Sequence, residues 1–260
     1  MIKEKNYRPF NKKTDFTAII ENGDIKKLKN IRHKYSLPIR DGGYVPKTGI
    51  FVTESIAGCD LKGKRVLDIG TGDSGILAIH AAALGAREVI GLDVDGTAVR
   101  GAQLSAKLNG FGGRVKFRRL GIQRYKPSVK FDVIISNPPQ MPVPTCRSQH
   151  DDGGPDGRKY IRHIISFAAR HLKKDGLLFL TAFDFLGIDG SYGCPSLCDY
   201  ARKAGLCLSI VGRQKKEVKE NSYTQKNIVW IKRQYPKYSF MKSSSGRPSY
   251  KICLLMGQKL

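Results

Sequence analysis

The most chemically pointed stretch of this 260-residue sequence is Asn137-Pro138-Pro139-Gln140, directly after the apolar run Phe131-Asp132-Val133-Ile134-Ile135-Ser136. Consecutive prolines fix φ and hold the residue before each of them extended, so Asn137 sits in a rigid loop just past a strand end. The Asn137 side-chain oxygen and the Pro138 carbonyl are two acceptors that can bind the two hydrogens of one NH2 group. Holding both hydrogens aims the nitrogen lone pair at an electrophilic carbon such as a methyl group, and orientation of this kind is worth up to ~7–11 kcal/mol of barrier. No strong base is needed if the proton leaves after transfer.

A second group of residues has the types and spacing of a nucleotide-type site. Val66-Leu67-Asp68-Ile69-Gly70-Thr71-Gly72-Asp73-Ser74-Gly75 places glycines at G-x-G-x-x-G spacing, where a strand turns into a helix and a ligand can approach the backbone of Gly70, Thr71 and Gly72. Asp93, 23 residues beyond Gly70 and followed by Val94, closes the next apolar run and is placed to accept hydrogen bonds from a ribose. A dinucleotide pyrophosphate would be repelled by a carboxylate just ahead of the glycines, whereas Asp68 suits a cationic ligand carrying an ammonium and a sulfonium. A turn used only for packing and a dinucleotide site are the alternatives that the residues leave open.

The Asp68–Gly75 stretch resembles motif I of the class I S-adenosylmethionine-dependent methyltransferases. Asn137-Pro138-Pro139 resembles their motif IV, N-P-P followed by an aromatic, found in members that methylate exocyclic base amines or glutamine amides. Asp151-Asp152-Gly153-Gly154-Pro155-Asp156-Gly157 is similar to the glycine stretch that follows motif IV in the HemK/PrmC glutamine methyltransferases, and Thr48–Glu54 is similar to their segment ahead of motif I; together the resemblance covers residues 44–211. It implies a Rossmann-like fold, S-adenosyl-L-methionine as cofactor held by Asp68, Gly70, Thr71, Gly72, Asp93, Val94 and Asn137, and catalysis by Asn137, Pro138, Pro139 and Gln140. The chain departs from the family twice. Gln140 replaces the aromatic on which base-modifying members stack their target, a contact worth ~1–3 kcal/mol, and the third strand ends without an acid, leaving Gln123 to offer an amide oxygen to the adenine.

These residues need elements to position them. Short apolar runs at 65–69, 88–92, 115–119, 131–136, 177–181, 206–211 and 251–256 alternate with helical patterns at 75–84, 97–109, 158–172 and 195–204. Such alternation predicts βαβ units and an α/β, doubly wound, mostly parallel seven-stranded sheet. Residues 1–43 are expected to form an N-terminal helical appendage, with two short helices over 14–35 broken at Asn22-Gly23. Residues 44–260 are the expected catalytic domain, carrying a basic insertion at 217–250 with a flexible Ser243–Gly246 piece. In that insertion Trp230, Tyr235, Tyr238 and Phe240 alternate with lysines and arginines. This pattern fits an RNA-stacking surface or, equally, a helix whose buried face is Ile228, Val229, Ile231 and Tyr235.

Composition sets the wider limits. With 40% apolar and 26% charged residues the chain is neither disordered nor a coiled-coil rod. Its 46 Lys+Arg against 22 Asp+Glu give a net +24. The excess is +12 in residues 201–260, whereas residues 131–200, around Asn137, sum to −1. A basic surface around a near-neutral centre implies docking to a polyanion such as RNA or a ribosome, with the methyl acceptor a protein or an RNA. A non-catalytic ribosome or nucleic-acid binder that keeps the fold is a further reading. No apolar run is long enough to span a bilayer and the N-terminus lacks an apolar signal core, so a cytoplasmic protein is expected. The six cysteines lack zinc-site spacing and are expected as reduced, mostly buried thiols; the five histidines show no ligand spacing.

Overall fold

The computed structural model describes residues 2–6, 14–40, 45–145, 148 and 150–259, which fall into two compact units, Met1–Ser136 and Asn137–Leu260. The expected boundary at 43/44 and Cys146 lie outside the described residues.

The first unit opens with strands instead of the expected helices. β1 (Ile2–Asn6), β2 (Phe16–Glu21), β3 (Asp24–Asn30) and β4 (Tyr35–Pro38) form an antiparallel sheet in that order. The period of burial is two: Phe16 and Ala18, Leu28 and Asn30, Tyr35 and Leu37 face inward. Asn22-Gly23 is the turn of a hairpin, both residues at positive φ (49° and 89°), and not a break between helices. Nor is the sheet an appendage. The Ser36 N–H donates to Asn109 Oδ1 at 2.7 Å and the Asn109 amide returns a bond to Ser36 O at 2.6 Å. The Tyr35 hydroxyl meets His80 Nδ1 at 3.1 Å in the interior.

The rest of this unit alternates as expected: α1 (Lys47–Ser55), β5 (Arg65–Ile69), α2 (Ile76–Ala83), β6 (Glu88–Asp93), α3 (Gly96–Leu108), β7 (Val115–Arg119) and β8 (Phe131–Ser136). The four strands β8-β5-β6-β7 are parallel neighbours in that order. Continuous burial along β5 and β8, rather than alternation, reflects a sheet covered on both faces. The parallel order brings the C-terminal ends of β5, β6 and β7 to one edge, where the glycine turn, Asp93 and Gln123 follow.

The second unit contains α4 (Lys159–His171), β9 (Leu172–Phe183), α5 (Leu197–Ala204), β10 (Leu206–Glu217), α6 (Tyr223–Lys226), α7 (Ile228–Gln234), β11 (Met241–Lys242) and β12 (Pro248–Lys259). β12 lies between β10 and β9 and runs against both, so β9 and β10 share a direction. α4 buries Ile161, Ile164, Ile165 and Ala168, one stripe at helical spacing. The predicted flexible Ser243–Gly246 piece instead closes the hairpin between β11 and β12, with Ser243 N–H bonded to Arg247 O at 2.8 Å.

The basic insertion is folded by its aromatic residues. Tyr235, Tyr238 and Tyr250 are buried around Phe185, with ring centroids 6.2, 5.6 and 5.5 Å away. Of the expected buried face of α7, Ile231 and Tyr235 are interior, whereas Val229 is 78% exposed. Burial of Tyr235 and Tyr238 excludes them as RNA platforms and leaves the cations Lys226, Lys232, Arg233 and Lys237 on the outside. The described cysteines are all free, but only Cys253 is buried; Cys207 is exposed because it lies on the outward face of alternating strand β10.

Candidate functional site

In the first unit, the glycine turn is built by left-handed backbone at Gly70, Gly72 and Gly75 (φ 76°, 64° and 61°), a region that L side chains rarely enter. Nothing lies within 4 Å of the positions a Cβ on Gly70 or Gly72 would take, so the cradle they form is open. Gly75 is needed for a different reason: a Cβ there would stand 3.0 Å from Ala102 Cβ and 3.1 Å from Phe117 Cζ, so it lets α3 and β7 pack close.

Asp68 lies fully inside the protein. Its Oδ2 accepts the Thr71 hydroxyl at 2.7 Å and the Ala78 N–H, in the first turn of α2, at 3.2 Å. Its Oδ1 is buried with no hydrogen-bond partner. Burial, reinforced by the charge of Asp93, pushes the carboxyl up to about 7. Asp93 stands at the end of β6 and splits its oxygens: Oδ2 accepts the Gly72 N–H at 2.9 Å and Oδ1 the Asp95 N–H at 3.0 Å. Each oxygen keeps a further lone pair. The amides of Gly70 and Thr71 are both taken by Leu92 O, at 2.8 and 3.0 Å. Val94, 52% exposed, and Gln123 flank Gly121, whose absent Cβ would sit 3.4 Å from Val94 Cγ1 and 3.2 Å from Gln123 Oε1. An apolar side chain and an amide oxygen thus stand side by side beyond β6 and β7. Arg40, just after β4, donates to Asp73 Oδ2 at 2.9 Å, tying the N-terminal sheet to the glycine turn, a link invisible in the sequence.

These residues fit S-adenosylmethionine. The partnerless Oδ1 of Asp68 is an acceptor of the kind a ligand ammonium satisfies, the open cradle at Gly70 and Gly72 admits a ligand to the backbone, and Asp93 has the spare acceptors a ribose diol requires.

In the second unit, Asn137 Oδ1 accepts the Thr181 hydroxyl at 2.7 Å. Gln140 is buried, 4% exposed, with its amide turned inward. Its Nε2 donates to Thr181 Oγ1 at 3.1 Å and makes a longer contact of 3.4 Å to Pro138 O, while its Oε1 accepts the Phe183 N–H at 2.6 Å. Pro138 is buried and Pro139 half-buried. The glycine stretch is the other wall of this loop. Met141 and Gly153 exchange backbone bonds with the facing segment, and a Cβ on Gly157 would meet Gln140 O at 2.6 Å. That close approach is why the segment is glycine-rich. The insertion grips the same segment with polar ends of its aromatics: Tyr223 donates to Asp152 Oδ1, Trp230 Nε1 to Pro155 O at 2.9 Å and Tyr235 to Asp156 O. Thr181 and Phe183, on β9, had no motif to mark them in the sequence; an amide at position 140, where an aromatic is usual, was the one available signal.

The comparisons with known proteins follow the same lines. Residues 47–138, from α1 through Pro138, match the family described as ribosomal protein L11 methyltransferase (PrmA). A methyltransferase from Pyrococcus furiosus superposes with TM-score 0.54 at 19% identity, over 86% of this chain and 90% of that one. The fold is that of the class I methyltransferases. A magnesium protoporphyrin IX methyltransferase from Synechocystis PCC 6803, solved with bound SAM, shares this methyltransferase fold at TM-score 0.50 and 17% identity, over 82% and 79% of the two chains. Among curated relatives, a release factor glutamine methyltransferase of Gloeobacter violaceus is 33% identical over 151 residues, 51% of this chain and 53% of the relative. A ribosomal protein L11 methyltransferase of Mannheimia succiniciproducens is 42% identical over 96 residues, 36% and 31% of the two chains. The chain thus spans about half the length of the first relative and under a third of the second. The sequence resemblance to class I methyltransferases of the HemK/PrmC kind is borne out. No helix among the described residues is long and apolar enough to cross a membrane.

Proposed function

We propose that this chain is an S-adenosyl-L-methionine-dependent N-methyltransferase acting on a planar amide or amino nitrogen of a macromolecule, most like a protein glutamine N5-methyltransferase. The observation that carries this reading is the inward-turned Gln140. Position 140 presents no stacking face, while the two acceptors next to it, Asn137 Oδ1 and Pro138 O, are held in place by neighbouring donors. A site with paired acceptors and no aromatic platform at that position favours a small primary amide over a nucleobase.

Asp68, Gly70, Thr71, Gly72 and Asp93 would hold the cofactor, with Val94 and Gln123 at its adenine end. When bound, S-adenosylmethionine supplies an electrophilic methyl group on a positively charged sulfur. Asn137 and Pro138 would accept the two N–H bonds of the substrate amide and so fix the direction of its lone pair. The surplus proton on the methylated nitrogen leaves to water.

The acceptor is proposed to reside in a polyanionic setting. Lys226, Lys232, Arg233 and Lys237 of the insertion are exposed, with the Arg233 guanidinium 5.4 Å from the Trp230 ring centre. Such a surface suits RNA neighbouring a protein acceptor.

The test is transfer of tritiated methyl groups from the cofactor to a soluble and ribosomal protein fraction and, separately, to total RNA. Label in protein that is lost in Asn137→Ala supports the reading. Label in RNA transfers the assignment to a base amino-methyltransferase, and absence of both label and calorimetric cofactor binding to a non-catalytic binder.

A further inference from the structure

We infer that Thr181 and Gln140 are positioning residues that set which atom Asn137 offers to the substrate. The inference rests on the proposed role of Asn137 and Pro138 but assigns a separate device. It follows from the direction in which each hydrogen bond can run. A backbone N–H only donates, so the Gln140 atom facing Phe183 N at 2.6 Å is its oxygen. The Gln140 nitrogen is therefore the atom that faces Thr181 Oγ1 at 3.1 Å, and an amide nitrogen only donates. Thr181 Oγ1 is fully buried, and Asn137 at 2.7 Å is where its own proton goes, so the facing Asn137 atom is the carboxamide oxygen. The amide of Phe183 thus dictates, through two side chains, the orientation of the Asn137 carboxamide. Phe183 and Thr181 are held by the strand pairing of β9 with β12, at Ile252 and Leu254. Thr181 is fully buried and Gln140 is 4% exposed, so water does not compete for the bond between them.

In consequence Asn137 Oδ1 and Pro138 O each receive one internal bond and keep one lone pair for a substrate N–H. The arrangement selects a nitrogen bearing two hydrogens, a primary amide, and pays no energy to reorient at the moment of binding. Where an aromatic at position 140 would offer a face to the substrate, Gln140 gives that up to fix its neighbours.

The test compares Thr181→Val, which keeps the volume and removes the hydroxyl, with Thr181→Ser, which restores it, using tritiated S-adenosylmethionine and the protein fraction. Thr181→Val is expected to lower kcat at least about tenfold with cofactor affinity within twofold, and Thr181→Ser to recover to within about threefold. Gln140→Glu adds a pH readout. A protonated glutamate donates to Thr181 and an ionised one cannot, so the activity of this variant relative to wild type is expected to fall as pH rises. Independently of turnover, the Gln140 side-chain NH2 protons should exchange slowly in wild-type NMR spectra and quickly in Thr181→Val. Wild-type kcat in Thr181→Val, a flat pH ratio for Gln140→Glu or unchanged exchange overturns the positioning role. Wild-type kcat in Asn137→Ala instead overturns the reading on which it rests.

Discussion

Asp68 offers the sharpest test of the cofactor site proposed for the first unit. The residue is fully buried, one oxygen satisfied by Thr71 and Ala78 and the other partnerless, and its pKa is pushed up to about 7 by burial and by Asp93. A carboxyl with that pKa is about 9% ionised at pH 6 and about 91% at pH 8, so a ligand ammonium that needs the ionised form gains roughly tenfold in affinity, ~1.4 kcal/mol, across that interval. The same shift acts on folding with the opposite sense. Because the folded pKa lies above that of a free aspartate, 3.8, the contribution of Asp68 to stability is fully present below about pH 4 and is lost as pH rises through about 7. The assay is calorimetric titration of S-adenosylhomocysteine, which carries the ammonium without the sulfonium, into wild type and Asp68→Asn between pH 6 and 8. The ligand amine titrates identically in both, so the difference between the two proteins isolates Asp68. Wild type is expected to release a proton on binding and to bind more tightly relative to Asp68→Asn by about tenfold at the upper end. Urea unfolding of the free proteins should show a shallower decline between pH 4 and 7 in the variant. An affinity ratio that does not change with pH, or equal binding by both proteins, refutes the placement of a cationic group at Oδ1.

Gly157→Ala is expected to cost about 2–4 kcal/mol, from a left-handed φ of 71° and a Cβ placed 2.6 Å from Gln140 O, read as a lower urea midpoint with cofactor affinity unchanged. Tyr35→Phe removes the hydroxyl that faces buried His80 Nδ1 and should destabilise the protein by about 1–2 kcal/mol in thermal melts. His80, whose pKa burial and the neighbouring His33 push down to about 3, adds stability that is present above pH 6.5 and lost as pH falls toward 3; acid titration of His80→Asn should lack that part of the decline. The double variant Lys232→Ala with Arg233→Ala should weaken binding to RNA uniformly across sequences and lower the slope of log affinity against log salt by about one and a half, as followed by fluorescence anisotropy.

Much of the site was legible because its residues are adjacent in the chain. A glycine turn between a strand and a helix, an acid at the end of the next strand and Asn-Pro-Pro after the fourth each carry their geometry locally, through permitted φ and fixed proline rings. The strands at 65–69 and 131–136 occur where periodicity placed them because burial on both faces leaves a nearly uninterrupted apolar run, and that at 115–119 because its buried Val115 and Phe117 alternate with exposed cations. The N-terminal strands are hidden in the sequence because Asn22-Gly23 fits a helix break as well as a hairpin turn; it is a hairpin turn when alternating residues flank it, and the lysines between Ile25 and Asn30 mask that alternation. Tyr235 and Tyr238 of the insertion carried two meanings in sequence, and burial against Phe185 decided between them.

By itself the sequence determined the fold class, the resemblance to class I methyltransferases and the residue types of the candidate site. Tertiary structure decided how those residues are held: that Asp68 is buried with one oxygen unsatisfied, that the N-terminal sheet ties Arg40 to the glycine turn, and that Gln140 turns inward onto Thr181, which in turn bonds Asn137. The reason is range. Backbone preference and hydrophobic period act over a few residues, whereas the 41 positions from Gln140 to Thr181 and the 33 from Arg40 to Asp73 are closed only when the chain packs.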